Sequence, residues 1–184
     1  MFQSTPTVKS IFYINVVAFL LTLLLPNLMY GLFSLNNPDL GFQFITYQFI
    51  HGGFLHIIFN MLVLLSFGPS VEEIYGGRKM WIYYLLCGIA GAALHLYMVG
   101  SSNPLVGASG SIWGIMVIFT LMYPNQSMYF MFLPAPIKAK YIIGGLFLIE
   151  VISGFNSHDN VSHFGHVGGA LMGGLIYLSN KRRF

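Results

Sequence analysis

Apolar residues dominate the chain in long runs, broken by short polar or glycine-rich stretches, and these runs predict its elements. A helix rising about 1.5 Å per residue needs about 20 mainly apolar residues to cross a hydrocarbon core about 30 Å thick. Runs of that order lie at 9–30, 53–70, 79–99, 108–123, 137–154 and 163–180. They predict six membrane-spanning helices filling most of the chain, with residues 1–184 as a single all-α membrane domain. The first run is too long for a signal peptide, lacks a small-residue cleavage pattern and carries Pro26 near its far end, so it is read as a span.

Composition changes this picture little. Of 184 residues, 56% are hydrophobic and only 7% charged, against about 25% charged in a soluble domain. So few charges cannot surface a water-soluble fold. Cys87 is the single cysteine; it excludes an internal disulfide framework and reads as a small buried hydrophobe.

Charge adds orientation. Lys9, Arg78, Lys79, Lys138, Lys140, Lys181, Arg182 and Arg183 precede span 1, separate spans 2 from 3 and 4 from 5, or follow span 6. With six crossings they share one face, and the loops at 31–52, 100–107 and 155–162 contain none. The positive-inside rule makes the charged face, and both termini, cytoplasmic. The basic residues act as topology determinants, so the net charge of +3 does not imply nucleic acid. Phe33, Phe42, Phe44 and Tyr47 make the first outer loop either a partly interfacial segment or an ordinary aromatic belt. Asn160-Val161-Ser162 is a glycosylation sequon that matters only in a eukaryotic secretory membrane.

Polar groups inside a bilayer are costly, so each is a candidate functional residue. His51/His56/Asn60, Gly107-Ala108-Ser109-Gly110, Glu150 and His163/His166 stand out. Ser109, His56 and His166 fall within the first residues of spans entered from the outer face, with Asn60 one turn deeper. Small residues around Ser109 suit close helix packing as well as catalysis. In the catalytic reading the glycines clear space at a helix N-terminus, where free N–H groups stabilise an oxyanion.

A serine hydroxyl needs a base to become nucleophilic, and His163 or His166 supplies one. His166 lies one turn before Gly169 on a small-xxx-small stripe with Gly173, so it should face a closely packed helix. His163 reads as a loop or supporting residue. His56 and Asn60, spaced i, i+4, share a helix face and could donate to an oxyanion or simply join helices. Glu150 reads as a protonated or hydrogen-bonded structural carboxyl. A zinc site built from His51, His56, His158, His163 and His166 is the chemical rival, but there is no HExxH motif and no cysteine pair.

Together, His51-Gly-Gly-Phe-Leu-His56-Ile-Ile-Phe-Asn60, Gly107-Ala108-Ser109-Gly110, and His166-Val-Gly-Gly169 with Gly173 resemble the rhomboid family of intramembrane serine proteases over nearly the whole chain. The last element matches that family's H-x-x-G-x-x-x-G. The resemblance implies a six-helix rhomboid-like bundle in which Ser109 attacks and His166 serves as base and then acid. His56, Asn60 and the backbone near Ala108 and Ser109 would form the oxyanion hole. It implies cleavage of other proteins' transmembrane segments near the outer face, with no metal and no cofactor, and substrate entry by movement of span 5 and the loop before span 6. The chain lacks the Trp-Arg pair often found in the first loop, and Trp113 stands where many relatives have tyrosine. Glu72 resembles a family structural acid near the cytoplasmic face. A short six-span chain of this kind suits a bacterial cytoplasmic membrane. The competing classes are a catalytically silent binder of transmembrane helices and a small transporter or channel.

Overall fold

The computed structural model describes residues 5–101, 104–129, 135–156, 159 and 161–180, and they are mostly helical. Lys181, Arg182, Arg183, His158 and Asn160 of the sequon lie outside the described residues. Helix α1 (Pro6–Leu24) begins with proline at its first position, where the missing N–H is harmless. Its exposed donors are satisfied from α4 (Phe54–Tyr75). Glu72 accepts the Thr7 N–H at 2.9 Å and the Val8 N–H at 2.8 Å, along with the Thr5 hydroxyl. A buried carboxylate on the positive end of α1 gives Glu72 a defined structural task.

The run predicted at 9–30 is broken. Leu25, at φ −132° and ψ 57°, leaves helical geometry, and a separate α2 (Pro26–Phe33) follows. Pro26 is the cause, since its ring disfavours helical backbone in the residue before it. The following loop is built rather than open, with α3 (Gln43–Thr46) and a 3-10 turn at Tyr47–Phe49. Gln43 holds it from within, accepting the Asn37 N–H at 2.9 Å and donating to Leu32 O at 3.0 Å. Tyr47, expected at the interface, is instead 3% exposed and donates to Gly88 O at 2.7 Å. Burial raises its phenol above the ordinary value, which keeps it a donor. The loop is thus anchored by Gln43 and Tyr47 in a chain without Trp-Arg.

Helix α4 turns into α5 (Gly77–Val99) at Gly76, where φ is +82°. A backbone bridge from Leu35 to Leu105 ties the first loop to the segment entering α6 (Ser109–Met122). The two-residue strands β1 (Ser127–Met128) and β2 (Ile137–Lys138) pair before α7 (Ala139–Asn156), and α8 (His163–Asn180) completes the chain. Among the described residues four helices, α1, α4, α5 and α7, are long and apolar enough to cross a membrane. Helix α8 is diluted by glycine and histidine, and α6, with 14 residues, is only about 21 Å long.

That short helix is the centre of the fold. Ile112, Ile115, Ile118 and Phe119 of α6 are buried, and its packing is most extensive against α5 and α8. Gly169 and Gly173 face α6 backbone to backbone: a Cβ on Gly169 would stand 2.6 Å from Gly110 C, and one on Gly173 2.7 Å from Gly114 Cα. Helix α7 is the opposite case. Of its described residues only Ala139 and Ile143 are buried, while Leu148, Ile149, Ile152 and Phe155 are exposed.

Candidate functional site

The close α6–α8 approach sets the first turn of one helix beside the first turn of the other. Ser109 Oγ lies 2.8 Å from His166 Nε2, within the range of a normal hydrogen bond. Trp113, one turn along α6, lies tilted 30° against the imidazole with ring centroids 6.1 Å apart. Nearby Ser111 is unavailable: it is fully buried and donates to Gln48 Oε1 at 2.8 Å. The α6 N-terminus begins after Ala108, and no described side chain caps it. Its first N–H groups therefore have no side-chain acceptor among the described residues.

Ser109, His166, His56, Asn60, Trp113 and His163 all line one cavity of about 1220 Å³. Gly107 has φ +120°, and a Cβ there would fall 2.7 Å from His56 Cε1 and Nε2. Glycine is required on both counts. Asn60 is 7% exposed and donates one amide hydrogen to His56 O at 3.0 Å, leaving its second available. His51 sits behind His56, ring centroids 5.0 Å apart, and its carbonyl accepts the Tyr30 hydroxyl at 3.2 Å. Burial, reinforced by the His56 ring, pushes the His51 imidazole down to about 4.

The Rhomboid domain matches residues 38–180 of this sequence. The chain belongs to the rhomboid family. It is 36% identical over 127 residues to the rhomboid protease GluP of Bacillus subtilis, a match covering 69% of this chain and 23% of that protein. Over 161 residues it is 31% identical to the chloroplastic Rhomboid-like protein 11 of Arabidopsis thaliana, covering 82% and 57%. Over 143 residues it is 30% identical to Rhomboid-type serine protease 2 of Emericella nidulans, covering 74% and 26%. The chain therefore spans between about a quarter and somewhat over half the length of these relatives. With its long apolar helices and this family, it is an integral membrane protein.

Two features of this rhomboid site escape the sequence reading. His95 of α5 lines the same cavity, is 7% exposed, and pairs through Nδ1 with Ser162 Oγ at 2.7 Å. Ser162 also accepts the Gly165 N–H at 3.2 Å, so it caps α8. The signal for His95 was its histidine inside an apolar run. Glu150, expected as a protonated or hydrogen-bonded structural carboxyl, lies between two histidines: Oε2 is 2.7 Å from His163 Nδ1 and 3.0 Å from His166 Nδ1. His163 Nε2 also meets the Asp159 carboxylate at 3.2 Å. Glu150, His163 and His166 thus bring three potential metal-donor groups within 4.8 Å of one another, with a hydrogen bond between His163 and Glu150 and His166 Nδ1 within ion-pair distance of the same oxygen.

Proposed function

We propose that the chain is an intramembrane serine endopeptidase that cleaves transmembrane segments of other membrane proteins near the outer face. The observation that carries this reading is the 2.8 Å pair of Ser109 Oγ and His166 Nε2 opening on a large cavity. Ser109 attacks the scissile carbonyl while its proton passes to His166 Nε2. The carbonyl oxygen, now an oxyanion, takes hydrogen bonds from the uncapped first turn of α6 near Ala108, and from His56 and Asn60. His166 then returns the proton to the leaving amine. Water enters from the cavity, is activated by the same imidazole and releases the acyl enzyme.

The same reading has the chain cross the bilayer six times with both termini in the cytoplasm, forming one domain in a bacterial cytoplasmic membrane. The shortness of α6 supports it. A helix of about 21 Å in a core of about 30 Å leaves its N-terminus recessed, which puts Ser109 below the outer surface and makes a water-filled cavity necessary for hydrolysis.

The test is cleavage of a model single-span substrate in liposomes by wild type, Ser109→Ala and His166→Ala. Wild type should cut, and each variant should lose about 10³-fold or more in kcat. A variant that cuts as well as wild type removes that residue from the mechanism. Tight substrate binding without any cleavage by wild type would mark a silent helix-binding protein instead.

A further inference from the structure

Serine and histidine alone leave one atom of the imidazole without a role, and α7 brings a carboxylate to it. We propose that Glu150 is a positioning residue that completes a Ser109–His166–Glu150 array, holding His166 with its proton on Nδ1 and its lone pair on Nε2. The proposal rests on the reading of Ser109 and His166 as the reacting pair. An ionised carboxylate only accepts hydrogen bonds. Its Oε2, 3.0 Å from His166 Nδ1, therefore favours the tautomer with Nδ1–H. That tautomer has its lone pair on Nε2, the atom 2.8 Å from Ser109 Oγ. The opposite tautomer would set the Nδ1 lone pair against a carboxylate and an N–H against the serine hydroxyl.

The same oxygen accounts for the charge that the reaction creates. As the Oγ–C bond forms, the carbonyl π pair moves to oxygen and the serine proton moves to Nε2. His166 becomes an imidazolium with both nitrogens protonated, and Glu150 stays ionised beside it without taking a proton. When the C–N bond breaks, the Nε2 proton leaves with the amine and the ring is neutral again. The side chains of His166 and Glu150 are only 13% and 16% exposed, so their attraction is weakly screened. The Nδ1–H is not yet directed along a hydrogen bond to Oε2, a looseness common before substrate binds.

Two neighbours keep the carboxylate in place. His163 Nδ1 shares the oxygen at 2.7 Å, and Asp159 holds the far side of that ring at 3.2 Å. Helix α7 has little other burial, so these polar contacts are a main tie between the middle of α7 and the start of α8. A purely structural tie is the competing account, and a metal held by Glu150, His163 and His166 is another.

Steady-state cleavage of the single-span substrate in liposomes separates them, using wild type, Glu150→Gln and Glu150→Asp, with fluorophosphonate labelling of Ser109 as a second readout. Glu150→Gln keeps the shape and removes the charge. Its kcat and its labelling rate should fall together by about 10- to 100-fold, with KM and melting temperature unchanged. Glu150→Asp, which keeps a carboxylate, should recover most of the loss. A Glu150→Gln enzyme within twofold of wild type overturns the proposal. So does equal damage by both substitutions with a lowered melting temperature, which marks a structural tie. Activity lost to a chelator and restored by zinc overturns it in favour of a metal. A wild type that neither cuts nor labels removes the catalytic pair itself and this proposal with it.

Discussion

Replacing Gly169 by alanine tests whether the α6–α8 contact builds the site. The added Cβ would stand 2.6 Å from Gly110 C and 3.0 Å from Gly110 Cα, where ordinary carbon contacts need about 3.5 Å. The obstacle is backbone, with the Gly110 carbonyl oxygen closer still, so no rotamer relieves it and the two helices must part by at least about 1 Å. Gly110 follows Ser109, and Gly169 lies one turn from His166, so the separation passes directly to the 2.8 Å pair. A misplacement of about 1 Å costs about 10²-fold in rate. Overpacking costs about 2–3 kcal/mol and alanine returns about 1 kcal/mol of helix propensity. The net loss of about 1–2 kcal/mol lowers the melting temperature by about 2–8 °C. Gly174→Ala on the same helix is the control, since a Cβ there meets nothing within 4 Å; it should keep full activity and melt no lower than wild type. Kinetics and thermal melts of both variants in detergent decide the matter. Gly169→Ala with kcat and melting temperature equal to those of Gly174→Ala would refute the reasoning.

Glu72→Ala should destabilise the protein by about 2–4 kcal/mol, because the Thr7 and Val8 N–H groups lose their acceptor. The kcat of the folded fraction should not change, since residue 72 is 16 residues along α4 from His56, or about 24 Å; an equilibrium unfolding curve beside a specific-activity assay checks both. His51 predicts a pH dependence of stability. Its folded value of about 4 lies below the usual 6.5, so between those values the unfolded chain binds a proton that the folded chain does not. Stability is therefore full above about pH 6.5, falls by roughly 3 kcal/mol as pH drops toward 4, and levels off below. Melting curves of wild type and His51→Asn from pH 7.5 to 4 should diverge in that window; parallel curves would show that the buried imidazole is not responsible.

Local patterns in the sequence reached most of the helices and missed what depends on packing. Apolar runs placed α4, α5, α6, α7 and α8 within a few residues, because each run is long and bounded by glycine, proline or charge. Pro26 divides the first run at Leu25, a break that hydropathy alone does not mark. Pro69 did not end α4, which continues to Tyr75, where Glu72 is held by the start of α1. The first loop read as ambiguous because its order comes from Gln43 and Tyr47, whose partners are distant in sequence or lie in irregular backbone. The proposed six-crossing topology rests on charge placement, since α6 is short and α8 is diluted by glycine and histidine.

The site divides in the same way. Ser109, His166, His56 and Asn60 could be named because each carries a polar group in an apolar run with a helical spacing that sets its face. His95 carries the same signal, a histidine within an apolar run. Glu150 carries no local signal of its role, since its partners stand 13 and 16 residues further on, beyond the end of α7. Only the packing of α7 on α8 makes it a neighbour of the imidazole.

Site-resolved mass spectrometry after fluorophosphonate treatment tests the central claim most directly. The account predicts one adduct, on Ser109, in wild type, and its loss in His166→Ala. An adduct on Ser111 or Ser162, or undiminished labelling of Ser109 without His166, would contradict it.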